Sequence, residues 1–399
     1  MRPGPAGASP GETRRPGRVA LVLRSLDRYS ETFIHRHVRE LWGGRVAILS
    51  TGRLRHDALP VARIRRARSA PTRAAVAAVR TLLTPRVFHR LLFHRTRKFL
   101  ERNDVVFILA EFGGEGIEVF EMAEAFDIPM FCYFRGFDAS SRMRDPAYAE
   151  AVRRMAAGVA GFVVVAQALS DALAAHGVRP RRTLVIPSGA DVGAFRPAAK
   201  RPASFLHVGR FTAKKAPLTT IRAFLAGTRA HPEATLDMVG DGPLLQAARD
   251  LVASHGAEAR VRLRGVLPHA AVRELMAGSM CLLQHSVTAP DGDMEGFPSA
   301  VQEAMASGCA IVATRHAGIP EHVRDGETGL LVDEGDEEGF AAHVAALAAD
   351  PAMAARLGRT ARAYAEEHLD YRKLYARLEA EIAAEIARRS PGPGDSHVA

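Results

Sequence analysis

Residues 280–315 read MCLLQHSVTAPDGDMEGFPSAVQEAMASGCAIVATR and contain one complete structural unit. "MCLLQHS" and "CAIVATR" are short apolar runs of the kind that fill a buried parallel strand. Between them Pro298 fits the start of a helix but not its interior. Ser299 is followed three residues later by Gln302, a capping-box pattern. The spacing therefore predicts a helix beginning near 298–299, and strand–loop–helix–strand predicts a parallel sheet. Two glutamates, Glu295 and Glu303, bracket the helix start. On one continuous helix they would point about 80° apart. With the start at 298–299, Glu295 lies in the loop ahead of the helix and Glu303 about one turn inside it. The exposed N–H groups of residues 296–299 suit an anion or sugar hydroxyls, and Gly296 lets a backbone pass close to a ligand.

The same alternation extends in both directions. "SFLHVGR", "ATLDMVGDG", "VRLRGV" and "GLLVDEG" are further strand candidates in the second half. "RVALVLRS", "RVAILST", "VVFILAEF", "MFCYFRG", "GFVVVAQ" and "RTLVIPSG" form a separate series in the first. A proline-rich polar run at 191–205 divides the two. The expected fold is α/β, with two Rossmann-like domains whose parallel sheets face an interdomain cleft. The expected divisions are a disordered leader at 1–17, a first domain at 18–197 and a second at 198–371. The helical stretch 372–390 is expected to cross back to the first domain, and 391–399 to form a disordered tail.

Composition narrows the function. At 399 residues, 47% hydrophobic and 25% charged, the chain is an ordinary globular protein long enough for two or three domains. No apolar run is long enough to span a membrane, and residues 1–17 lack the apolar core of a secretory signal. Cys132, Cys281 and Cys309 stand alone in apolar stretches, which fits buried thiols in a reducing cytoplasm. The net charge of +10 is uneven: residues 1–200 carry 33 Lys+Arg against 18 Asp+Glu, and the remainder carry 21 against 26. The excess peaks between 62 and 102, where arginines interleave with Leu, Val and Phe. Such a segment fits an anionic membrane surface, a phosphorylated substrate, or simply a solvated helix face. No zinc-finger or RNA-binding signature accompanies it, so nucleic acid is not an expected partner.

Polar motifs cluster just after strand candidates. In "HVGRFTAKKAPL", Gly209 permits a tight turn, and Arg210 and Lys215 occupy the following loop. That combination suits a pyrophosphate, although the spacing of a P-loop or dinucleotide fingerprint is missing. "GDGP" at 240–243 is a sharp turn into a helix. A carboxylate accepts two hydroxyls side by side, which suits a sugar or ribose diol at Glu295 or Glu303. Asp291 and Asp293 make the neighbouring loop acidic, but no His/Asp/Glu set at ligand spacing supports a metal.

The segment from Asp291 to Val332 resembles the signature region of retaining family-4 glycosyltransferases of GT-B fold, with Glu295 and Glu303 as their E-x7-E motif. "GIPEHV", "DGETGLLV", "GDGPL" and "IPSGADVGAFRP" also match. "YSETFIHRHVREL" and "FGGEGIEV" are similar to a subgroup that builds exopolysaccharide and other surface glycans. The resemblance implies that Arg210 and Lys215 bind the donor diphosphate and stabilise the leaving group. It implies that Glu303 holds the nucleotide ribose. Glu295 and the backbone of Gly296, Phe297, Pro298 and Ser299 would then hold the donor sugar, with Gly209 in the phosphate turn. It further implies a nucleotide-sugar donor, a glycan or lipid-linked acceptor, and neither metal nor other cofactor; the basic first half, with the isolated thiols, suggests a cytoplasmic enzyme peripheral to the inner membrane.

One element departs from the family pattern. Where the family often carries histidine in an H-G-x-D element, this chain reads "RGFD", with Arg135 in that place and Asp138 retained. Glu111 likewise stands where related chains often have histidine. Arginine does not shuttle a proton near neutrality, so a cleft-facing Arg135 would pair with donor phosphate or an acidic acceptor; the alternative is a structural Arg–Asp pair. Ser30 and Glu31, in the first loop, are further acceptor-side candidates. The departure keeps two alternatives open: a non-catalytic nucleotide- or glycan-binding subunit, and a sugar-nucleotide epimerase of the same fold.

Overall fold

A computed structural model describes residues 17–26, 32–52, 54, 56, 58–64 and 85–389. Two parallel sheets organise the chain. The first has order β3-β2-β1-β4-β5-β6-β7, built from β1 (Arg18–Leu23), β2 (Val46–Ser50), β3 (Val61–Arg63), β4 (Val105–Ala110), β5 (Met130–Phe134), β6 (Gly161–Val164) and β7 (Thr183–Val185). The second has order β10-β9-β8-β11-β12-β13, from β8 (Arg201–Val208), β9 (Thr235–Val239), β10 (Val261–Gly265), β11 (Ser279–Gln284), β12 (Ala310–Thr314) and β13 (Leu330–Val332). The expected α/β class with two parallel sheets is what forms. The apolar run 280–284 pairs in parallel with 310–313, Cys281 opposite Ala310 and Gln284 opposite Ala313. Only β3 escaped the sequence reading; at three partly exposed residues it is too short for a period to show.

Each sheet is buried on both faces by helices, which is why its strands are near-continuous apolar runs. β1, β4 and β5 are almost wholly inaccessible, as are β11 and β12. The helix Tyr371–Arg389 follows the second sheet in the chain but packs Tyr371, Leu374, Tyr375, Leu378 and Ile382 into the core of the first. Strand order reverses between β1 and β4 in one sheet and between β8 and β11 in the other. At such switch points the following loops diverge and leave a crevice beyond the carboxyl ends of the strands. No helix among the described residues is long and apolar enough to cross a membrane. The basic stretch 65–84, Ser30, Glu31 and residues 390–399 lie outside the described residues.

Candidate functional site

The loop after β8 begins the site. Gly209 donates to Val239 O and Phe211 to Asp241 O, tying this loop to the "GDG" turn after β9. Gly240, at φ 141°, is required there: a Cβ would lie 1.9 Å from Gly209 O. Arg210 is exposed. A short 3-10 turn, Ala213–Lys215, then turns two lysines inward, each under 10% exposed. Ala216 closes the turn in the left-handed region at φ 40°, a strained choice for a residue with a Cβ, especially before proline.

The lysines meet Glu295. Lys215 Nζ lies 3.2 Å from Glu295 Oε2, and Lys214 Nζ lies 3.5 Å from Oε1. Burial alone would push the Glu295 carboxyl up, but Lys215 and Lys214 outweigh it and hold the group at about 2. Burial pushes Lys215 down despite the opposing pull of Glu295. The Glu295 backbone N–H donates to His316 Nε2 at 3.0 Å, which leaves the ring proton on Nδ1, facing Glu334. Glu334 also accepts from Thr288 N at 2.7 Å. Three buried polar atoms around this loop, Glu295 Oε1, Thr212 Oγ1 and His207 Nε2, have no hydrogen-bond partner. Unpaired buried groups are costly, and a polar ligand is one way to satisfy them.

Glu303 is the fifth residue of the helix Ser299–Ala306 and is 7% exposed. His269 Nε2 lies 3.4 Å from its Oε1, while Arg273 donates to His269 Nδ1. The two glutamates thus flank the helix start, one ahead and one inside.

One local expectation is corrected. The capping box is not made, because Pro298 is the N-cap residue and no side chain caps the helix. Gln302 instead accepts from Gly189 N at 2.8 Å and donates to Phe297 O at 3.1 Å, which links the helix to the first domain. Gly296 has a further reason. A Cβ there would lie 2.3 Å from Val165 Cγ2 and 2.6 Å from Arg135 O, so the close approach of the other domain by itself requires glycine. The Phe297 ring is buried against His322, centroids 4.5 Å apart, leaving only its backbone for contact with a ligand.

Across the cleft, Asp138 organises the loop after β5. It accepts from the backbone N–H of Arg135 (2.9 Å), Gly136 (3.2 Å) and Gly113 (3.0 Å). The Arg135 guanidinium turns into its own domain. Nε bonds Glu111 O, Nη2 bonds Glu111 Oε2 at 2.8 Å, and Nη1 bonds Ser188 Oγ at 3.0 Å. It also lies 3.9 Å from the Phe33 ring centroid and 4.0 Å from that of Tyr133. Glu111, fully buried, spends its other oxygen on His37 Nδ1 at 2.6 Å. Every guanidinium nitrogen is engaged within the first domain, so Arg135 is not the cleft-facing side chain on which the pairing with a phosphate or acidic acceptor depends, and its ion-pair partner is Glu111 rather than an aspartate. The replacement of histidine by arginine goes together with Glu111: the two form one buried ion pair.

Further contacts close the domains on each other. Glu321 accepts from Gln167 N (2.8 Å) and Ala168 N (2.9 Å), at the start of the helix Gln167–Ala175. Met294 N donates to Ser140 Oγ, and Arg144 to Pro290 O. Among the described residues no cluster of three His, Cys, Asp or Glu is placed to hold a metal ion. Asp293 is committed to Lys214, and Asp291 to the Asp293 backbone. Sequence reasoning missed Lys214, His316, Glu334 and His37; the pair "KK" was visible, but which lysine faced what was not.

Comparison with known proteins places this geometry. Residues 194–364 match the family model "Glycosyl transferases group 1". A Salmonella typhimurium protein described as "Putative colanic acid biosynthesis glycosyltransferase WcaL" is 30% identical over 247 residues, 59% of this chain and 60% of the relative. The amylovoran biosynthesis glycosyltransferase AmsK of Erwinia amylovora is 33% identical over 188 residues, 46% of each chain. The matched region thus spans about half to 60% of the length of these relatives. Among solved structures, Anabaena HepE in complex with UDP superposes with a TM-score of 0.74 at 18% identity, covering 92% of this chain and 100% of that one. Sucrose-phosphate synthase from Thermosynechococcus elongatus gives 0.74 at 17%, covering 93% and 100%. The fold is that of the GT-B glycosyltransferases.

Proposed function

We propose that this chain is a retaining, metal-independent glycosyltransferase that moves a sugar from a nucleoside-diphosphate sugar to a glycan or lipid-linked acceptor in surface polysaccharide synthesis. The observation that carries the reading is the buried Lys215–Glu295 pair at the switch point of the second sheet, with Arg210 in the same loop as Lys215 and Glu303 in the helix that follows Glu295. Arg210 and Lys215 meet the diphosphate and stabilise the charge that develops as it leaves. Glu295, ionised across the physiological range, accepts hydroxyls of the donor sugar, and Glu303 those of the ribose. The relatives' descriptions, putative colanic acid and amylovoran biosynthesis glycosyltransferases, support the exopolysaccharide assignment, and UDP in the HepE structure supports the donor class. We place the enzyme at the cytoplasmic face of the inner membrane, held by its basic first half.

The test is incubation of the purified chain with radiolabelled UDP- and GDP-sugars and a bacterial lipid-linked glycan extract. Label in the glycan, with the α-configuration of the donor kept at the new linkage, supports the reading. Label found only in epimerised free donor, or binding without turnover, rejects it. Salt-sensitive flotation with anionic liposomes tests the membrane part separately.

A further inference from the structure

The two adjacent lysines look interchangeable in sequence but not in space. Lys214 Nζ is surrounded by three acceptors: Asp293 Oδ1 at 3.0 Å, Met294 O at 3.2 Å and, at ion-pair distance, Glu295 Oε1 at 3.5 Å. Two hydrogen bonds, to Asp293 and Met294, and the ion pair to Glu295 thus engage the ammonium. The main chain of Lys214 joins in, its carbonyl accepting from Val287 N at 2.9 Å. Lys214 therefore grips the loop 287–295 at both ends. Lys215 Nζ pairs with Glu295 Oε2 at 3.2 Å and keeps N–H capacity for something else. Glu295 Oε1 remains without a hydrogen bond although it is buried, so it is the oxygen left to accept from a ligand.

We infer that Lys214 is a positioning residue. It holds the 287–295 loop so that the Glu295 carboxylate meets the donor sugar, while Lys215 alone of the pair touches the diphosphate. The inference rests on the proposed nucleotide-sugar reading and deepens it: loop position, and hence sugar placement, depends on Lys214 and its counter-ion Asp293, whereas nucleotide affinity does not. His316 braces the same loop from the other side through the Glu295 N–H, and Glu334 fixes the His316 ring. Lys214 differs from these in meeting two carboxylates at once, so its loss leaves Asp293 without its cation and Glu295 with Lys215 alone.

The experiment compares the full-length wild type with Lys214→Met, Lys214→Arg, Asp293→Asn and Lys215→Met. Calorimetry with UDP and GDP reads nucleotide affinity. Acceptor-free hydrolysis of UDP-glucose and GDP-mannose reads sugar positioning. Lys215→Met is expected to weaken nucleotide binding about 10-fold or more, the loss of one charged hydrogen bond. Lys214→Met is expected to hold nucleotide affinity within about 3-fold while hydrolysis falls about 10-fold or more. Asp293→Asn should follow it, and Lys214→Arg should recover part of the rate. Asp293→Asn also serves if Lys214→Met does not fold. Nucleotide affinity falling equally in Lys214→Met and Lys215→Met makes Lys214 a phosphate ligand and overturns the inference. Unchanged hydrolysis in both Lys214→Met and Asp293→Asn overturns it too. A wild type that binds neither nucleotide and hydrolyses neither donor refutes the underlying functional reading instead.

Discussion

Replacing Arg135 with methionine tests whether the residue is a structural tie. The substitution leaves the Glu111 carboxylate at 0% exposure with His37 as its remaining side-chain partner. Removing one member of a buried ion pair costs about 3–5 kcal/mol, because the other charge stays buried. Two ring contacts at 3.9 and 4.0 Å disappear with it, each worth up to about 2 kcal/mol when desolvated, so the upper half of that range is expected. The exposed pair Arg97–Glu101, at 64% and 58% side-chain exposure, is the internal control; Arg97→Met should cost under about 1 kcal/mol. The assay is urea unfolding followed by fluorescence. The chain's single tryptophan, Trp42, is 1% exposed in the first domain's core, so it reports on the domain in question. The difference also has a pH signature. Burial raises the Glu111 pKa, but His37 and Arg135 outweigh it and hold the carboxyl below its usual range. A depressed carboxyl stabilises the fold above its unfolded pKa, and that stabilisation is lost as pH falls through the folded value. The gap between wild type and Arg135→Met should therefore narrow below about pH 4.5. A cost of under about 1 kcal/mol, matching the exposed control, would refute the buried-tie reasoning and return Arg135 to the cleft.

Three other outcomes are expected. Ala216→Gly relieves a left-handed residue at φ 40° and should stabilise the second domain by about 0.5–1 kcal/mol in thermal unfolding; a loss of stability would show that no strain is stored there. Gly318→Val puts a Cβ 2.4 Å from that of Ala166, and Glu321→Ala removes two N–H acceptors at the start of Gln167–Ala175. Both should enlarge the radius of gyration in small-angle scattering, Glu321→Ala by weakening the contact about 1 kcal/mol. Unchanged scattering in both would mean these contacts do not hold the domains together. Glu295, held at about 2, stabilises the fold above its unfolded pKa and loses that contribution as pH falls through about 2. Glu295→Gln should therefore flatten the acid limb of the stability curve below about pH 4.5, and an unaltered limb would contradict the lysine pairing.

Both sheets were legible because a parallel strand covered on two faces must be a continuous apolar run, as at 105–110 and 280–284. The placement of Glu295 before a helix and Glu303 inside it followed from Pro298 together with a capping-box pattern that the structure does not make. What sequence did not reveal depends on contacts between residues far apart in the chain. Gln302 looked like half of a capping box because the pattern is local, whereas its partner Gly189 lies 113 residues away. Gly296 looked like a ligand-facing glycine because nothing local shows Val165 and Arg135 pressing on it. The exchange of histidine for arginine at 135 was readable, but its compensation by Glu111 and His37 required the folded switch point of the first sheet.

The account stands most directly on nucleotide binding at the second switch point. Isothermal calorimetry of UDP and GDP with wild type, Lys215→Ala and Glu303→Ala measures it. Binding of at least one nucleotide by wild type, weakened about 10- to 150-fold in each variant, is the predicted result, since each removes a charged hydrogen bond worth about 1.5–3 kcal/mol. Wild-type binding that neither substitution changes would contradict the site, however well the fold agrees.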